Sequence, residues 1–124
     1  MILMALKYPL LIINLKNYKE SVDNAIEIAK TAAEIAKDTG VDVILAPSHL
    51  SLKDISKIIP VFAQSIDPVE AGAHTGAILA YDAKKSGAVG TLINHSERRI
   101  PFDDIKKCVE ICKSVELLSC VCAK

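Results

Sequence analysis

Leu10-Leu11-Ile12-Ile13-Asn14-Leu15-Lys16-Asn17-Tyr18-Lys19-Glu20-Ser21 opens as an unbroken apolar run and closes as a polar loop. Leu10 to Ile13 is apolar without alternation and partly β-branched, the pattern of a strand buried on both faces in a parallel sheet covered by helices. The loop that follows separates two α/β arrangements. An open, doubly wound sheet that grips a dinucleotide needs glycines directly after this strand, so that the backbone can approach a pyrophosphate at a helix N-terminus. Asn14 to Ser21 contains none. Polar groups stand instead at successive strand exits: Asn14 and Lys16, then Ser48, Gln64, and Asn94 with His95. A (βα) barrel assembles a site on its carboxyl rim in this way.

Working outward, Val22, Ala25, Ile26, Ile28, Ala29, Ala32, Ala33, Ile35 and Ala36 recur near a 3.6-residue period and predict one helix, capped by Ser21 and ended by a left-handed Gly40. Val41 to Ala46 reads as a second strand stopped by Pro47. Ser51 and Asp54 form a capping-box pattern for a short helix through Ile55, Ile58 and Ile59, closed by Pro60. Val61 to Gln64 is a third strand, followed by a loop over Ile66 to Gly76, a helix over Ala77 to Lys85 stopped by Gly87, and a fourth strand over Gly90 to Ile93. Pro101 suits a helix start, with Ile105, Cys108, Val109, Cys112 and Val115 as its buried stripe, and Leu117 to Cys122 is a fifth strand. The strict alternation of strand and helix predicts a single domain with parallel strands.

The 124 residues suffice for one domain with a core but fall short of a closed eight-stranded barrel, which typically needs about 250. Fifteen basic and fifteen acidic residues cancel, and no Lys/Arg stripe exists, which argues against nucleic acid as a partner. The opening apolar segment Met1 to Leu6 is short, is broken by Lys7 and has neither a basic segment ahead nor a cleavage site behind, so neither a signal peptide nor a membrane span is expected. Cys108 and Cys112 sit four apart on a helical stripe, and Cys120 and Cys122 alternate along a strand. With no C-x-x-C pair, these thiols read as small buried hydrophobes in a reducing compartment rather than as metal ligands.

The segment richest in chemistry is Asn94-His95-Ser96-Glu97-Arg98-Arg99, directly after the fourth strand. Lys16 and His95, at the exits of strands one and four, can face one small anionic substrate, the ammonium binding charge and the imidazole donating or exchanging a proton beside a carbonyl. A helical turn starting at Ser96 is expected to favour a neutral imidazole. A charge two residues past an apolar strand, as Lys16 is, needs a partner. At least one of Arg98 and Arg99 reads as structural, His49 as solvated, and the Lys and Glu residues of the first helix as its wet face.

These residues resemble the amino-terminal half of triosephosphate isomerase, most closely the compact archaeal type. Asn14-Leu15-Lys16 is similar to the family's N-x-K, Ala63-Gln64 to its third-strand exit, Gly72-Ala73-His74-Thr75-Gly76 to its loop after that strand, and Gly90 to Arg99 to its fourth-strand signature. The resemblance implies a partial TIM barrel, from β1-α1 to about β5, spanning 1–124 as the amino-terminal half of a (βα)8 barrel truncated after strand five. It implies interconversion of dihydroxyacetone phosphate and glyceraldehyde 3-phosphate, in the cytoplasm and without a cofactor or metal. Lys16 then steadies the phosphate and developing charge, Asn14 orients it and His95 polarises the carbonyl oxygens, with Glu97 paired to Lys16 and Ser96 and Gln64 in support. His74, Thr75 and Gly76 mark a subunit contact, and hence a homo-oligomer, a tetramer if the archaeal likeness holds.

The resemblance ends before the part of the family that supplies the glutamate base, the lid and the backbone phosphate cradle. Glu97 is committed to Lys16, and Glu110 and Glu116 lie away from the rim. A general base alone contributes typically 10²–10⁴-fold in rate, so little or no turnover is expected of this chain by itself. The other function class compatible with the residues is a noncatalytic phosphosugar-binding or assembly module.

Overall fold

The structure, a computed structural model, describes residues 6–123. The opening segment Met1 to Leu6 therefore lies, all but its last residue, outside the described residues. Strands β1 (Leu10–Asn14), β2 (Asp42–Ala46), β3 (Phe62–Ala63), β4 (Gly90–Ile93) and β5 (Leu118–Val121) alternate with helices α1 (Lys19–Asp23), α2 (Ala25–Thr39), α3 (Leu52–Ile55), α4 (Ala80–Lys85) and α5 (Phe102–Ser114). All strand pairs are parallel: β1 with β2, β3 with β4, and β4 with β5. A bridge between Leu45 and Val61, with the Leu45 N–H donating to the Pro60 carbonyl at 3.1 Å, carries the pairing from β2 to β3. The result is a curved, open sheet in chain order. It is the partial α/β barrel that the strand pattern predicts.

Period-two alternation sorts β2, β3 and β4 between two apolar layers. On β2, Val43 and Leu45 pack outward on α2 and α3 residues such as Ala29, Ala32 and Ile55, while Ile44 and Ala46 point to the concave side with Phe62 and Leu92. Gly90 exists because of this second layer. A Cβ there would stand 2.5 Å from the Phe62 ring and 2.8 Å from the Leu118 carbonyl oxygen.

Several expected boundaries shift. The first strand is not buried on both faces: Leu11 is 50% and Ile13 36% exposed. Among the described residues, β1 is a terminal strand paired only with β2, and α2 packs on β2. The single first helix is two, broken at Asn24 (φ −110°, ψ 16°). The first begins after an extended Tyr18, so Ser21 lies inside α1 and caps nothing. Only Ala25, Ala29 and Ala32 of the predicted stripe are fully buried, and Val22, Ile26 and Ile35 are exposed. Gly40 does end α2 in the left-handed region, at φ 74°.

Ser51 precedes α3 without a side-chain cap, because its hydroxyl accepts from Ser48 at 3.2 Å, and the helix stops at Ile55. Helix α4 starts at Ala80 rather than Ala77, since Ile78 is held elsewhere. Its N–H donates to the Asp67 carboxylate at 2.7 Å and its carbonyl accepts the Asp67 N–H at 2.8 Å, closing the base of the 67–78 loop. Pro101 sits just ahead of α5, whose most buried face includes Ile111 beside Cys108 and Cys112. Those two thiols are buried, whereas Cys120 and Cys122 are only half-buried. No helix among the described residues is long and apolar enough to cross a membrane.

Candidate active site

The exits of β1, β2, β3 and β4 converge on one cleft of about 490 Å³, lined by Asn14, Lys16, His49, Gln64, His95 and Glu97 among others. Four strands of different sequence distance thus contribute to one concavity, because parallel pairing puts all their carboxyl ends on the same rim.

Lys16 enters it from a strained backbone, with φ 53°. A bulky residue in the left-handed region costs of order 1–3 kcal/mol and persists only where its surroundings impose it. Here the Lys16 N–H donates to the Asn14 Oδ1 at 2.9 Å, and its carbonyl accepts the Gln64 Nε2 at 2.9 Å. The ammonium lies 3.3 Å from the Glu97 Oε2, with side chains 37% and 58% exposed. A pair this wet adds little to folding. What it does is fix where the charge points.

His95 is set by its own turn. The Arg98 N–H donates to the His95 carbonyl at 2.7 Å, and the Glu97 N–H donates to His95 Nδ1 at 3.1 Å. No helix forms at Ser96, so the expected turn exists as a single hydrogen-bonded turn without a helical N-terminus. With the Nδ1 lone pair engaged by an amide proton, the ring's N–H of the neutral form is on Nε2, where it can donate to a ligand oxygen. Glu97 Oε1 also stands 3.5 Å from Nδ1. The backbone N–H decides the assignment, because it can only donate. Glu97 thus engages both groups, the ammonium through its carboxylate and the imidazole through its backbone N–H, and the two sequence-predicted catalytic residues share a cleft.

The remaining candidates divide. Asn14 and Gln64 line the cleft. Ser96 is exposed in the turn and Ser48 faces Ser51, so neither lines it. His74, Thr75 and Gly76 lie in the exposed tip of the 67–78 loop, away from it. Arg99 is structural, its guanidinium donating to the Asn94 carbonyl at 3.1 Å. Arg98 lines the cleft.

His49 is a correction. It is half-buried in the cleft, not solvated, and its Nε2 packs on the Ser65 backbone, 3.3 Å from the N–H and 3.1 Å from the carbonyl oxygen. Burial above all, with the Arg98 charge, lowers its pKa, against opposing effects of the Ser65 hydrogen bond and the Asp67 carboxylate. The signal was its place at the exit of the second strand. Burial also pushes the Cys112 thiol up to about 11 and raises Cys108, as for inert packing thiols.

Comparison with known proteins supplies the family. The family model for triosephosphate isomerase matches residues 9–124. The chain is 44% identical over 117 residues to the triosephosphate isomerase of Methanothermus fervidus, covering 92% of this chain and 53% of that protein. For the Methanothermobacter thermautotrophicus enzyme the identity is 46%, with 92% and 51% covered. A crystal structure of triosephosphate isomerase from Bartonella henselae superposes with a TM-score of 0.73 at 21% identity, over 93% of this chain and 51% of that one, which shows the shared barrel fold. The chain spans about half the length of the curated relatives it matches, and the part matched is their amino-terminal half. On the family match and these identities, the chain belongs to the triosephosphate isomerase family.

Proposed function

We propose that this chain is the amino-terminal, triose phosphate-gripping half of an enzyme that interconverts dihydroxyacetone phosphate and glyceraldehyde 3-phosphate. The observation that carries the reading is the convergence of Lys16 and His95 on one cleft with Glu97 between them, its carboxylate 3.3 Å from the Lys16 ammonium and its backbone N–H on His95 Nδ1. Lys16 offers its ammonium to the phosphate and to charge developing on the carbonyl oxygen, Asn14 orients the substrate, and the His95 Nε2–H donates to the carbonyl oxygens as an enediol forms. Gln64 and Glu97 support these groups. No cofactor or metal enters the reaction.

Abstraction of a proton next to a carbonyl also needs a base, and Glu97, the carboxylate of the cleft, is paired with the Lys16 ammonium. The chain alone therefore turns over little or no substrate, and a carboxyl-terminal half that brings a glutamate completes it. The exposed tip of the 67–78 loop, with His74, Thr75 and Gly76, reaches a neighbouring subunit in a homo-oligomer, a tetramer on the archaeal pattern. The protein works in the cytoplasm, in glycolysis and gluconeogenesis.

Mixing this chain with the carboxyl-terminal half of the Methanothermobacter thermautotrophicus enzyme tests the reading in an isomerase assay. Turnover at least about 10²-fold above that of either half alone, lost in Lys16→Ala, is the expected result. Association of the halves without any gain in rate overturns it.

A further inference from the structure

Lys16 is the strained residue of the cleft, and neither of its peptide units is held by a strand ladder. Its N–H goes to the Asn14 side chain and its carbonyl to the Gln64 side chain. Gln64 makes more than this one contact. The same Nε2 also donates to the Ala46 carbonyl at 3.1 Å, so both protons of one amide are used. Two carbonyl oxygens facing that end leave no doubt which atom is the nitrogen. The Ala46 carbonyl in turn accepts the Leu15 N–H at 3.0 Å. One half-buried side chain at the exit of β3 thus ties the last turn of β1 to the end of β2.

We propose that Gln64 is a positioning residue for Lys16: its amide, holding the carbonyls of Lys16 and Ala46 together, keeps residue 16 left-handed and so aims the ammonium into the cleft. An unrestrained lysine leaves the left-handed region, because Cβ crowds its carbonyl oxygen there. Rotation of the Lys16 peptide would carry the ammonium off Glu97. Without the clamp, only the fraction of molecules with residue 16 in the held conformation can bind, and the apparent affinity falls by that fraction. The consequence for binding rests on the proposed function, whereas the conformational consequence does not.

The experiment takes the full chain as it is and follows two readouts in wild type, Gln64→Leu and Gln64→Glu, the last keeping the length and stem of the side chain while removing its donors. NMR coupling constants and carbon shifts report φ at Lys16, and titration with dihydroxyacetone phosphate reports affinity. The clamp predicts a positive φ in wild type that is lost or averaged in both variants, with affinity falling about tenfold toward that of Lys16→Ala. A variant that keeps positive φ, or one that loses it with affinity unchanged, overturns the proposal. A wild-type chain that binds no triose phosphate counts against the proposed function, and φ in the variants still decides the clamp. If circular dichroism shows both variants unfolded, hydrogen exchange of the Gln64 side-chain protons in wild type decides: slow exchange supports the clamp, and solvent-like exchange overturns it.

Discussion

Two backbone outliers bracket the cleft. Lys16 at φ 53° and Asn94 at φ 63° each sit at or beside a functional side chain, where strained conformations concentrate. Asn94 holds itself: its Nδ2 donates to the Cys122 carbonyl at 3.1 Å and its Oδ1 accepts the Ile100 N–H at 3.0 Å, which turns the chain so that His95 faces the rim. Lys16 relies on neighbours, as a lysine has no short polar arm for the task. His49 yields a prediction with a definite sign. Its folded-state pKa is lowered, first by burial, so the unfolded chain binds its proton at higher pH than the folded chain does. Its contribution to stability is fully present above about pH 6.5 and is lost as pH falls through and below that value toward the depressed folded pKa. Urea unfolding across pH 7.5 to about 5 should show wild type losing more stability than His49→Gln over this window. Equal losses would show that the histidine is not the titrating group.

At the scale of elements, the short connections are held by specific side chains rather than by helix propensity. The Asp67 clasp on Ile78 delays α4 until Ala80, and the break at Asn24 turns one predicted helix into two. The strand core is set by shape. Gly90 on β4 admits the Phe62 ring of β3 and the Leu118 backbone of β5, so Gly90→Ala forces a ring and a backbone apart. The expected cost is about 1–3 kcal/mol in denaturant unfolding, the range for overpacking a tight core. A change within measurement error would mean that β3 and β5 yield more easily than the packing indicates.

For the whole molecule, the open sheet is the governing fact. β1 and β5 are terminal strands with an unpaired side among the described residues, and they expose apolar residues: Leu11 and Ile13 on the first, Leu118 and Val121 on the second. Unpaired parallel edges with apolar side chains favour association. Sedimentation velocity of the isolated chain should show mass rising with concentration, and Leu11→Lys, which charges an exposed edge position, should shift the distribution toward monomer. A concentration-independent monomer would show that these edges are not sticky.

The residues read along the chain carried the order of the five strands, the left-handed stop at Gly40 and the need of the Lys16 charge for a partner. Each follows from local periodicity, from glycine's freedom at positive φ, or from a charge placed just past an apolar strand. They also carried the family, through motifs that need no contacts to be recognised. Tertiary structure alone decided the rest. Whether Leu11 is buried depends on which helices lie over an edge strand, and whether His49 is wet depends on Ser65, sixteen residues away. The Gln64 clamp and the orientation of the His95 ring arise from backbone groups that every residue possesses. No residue type advertises them, and only the folded chain brings those carbonyls and amides to the side chains that use them.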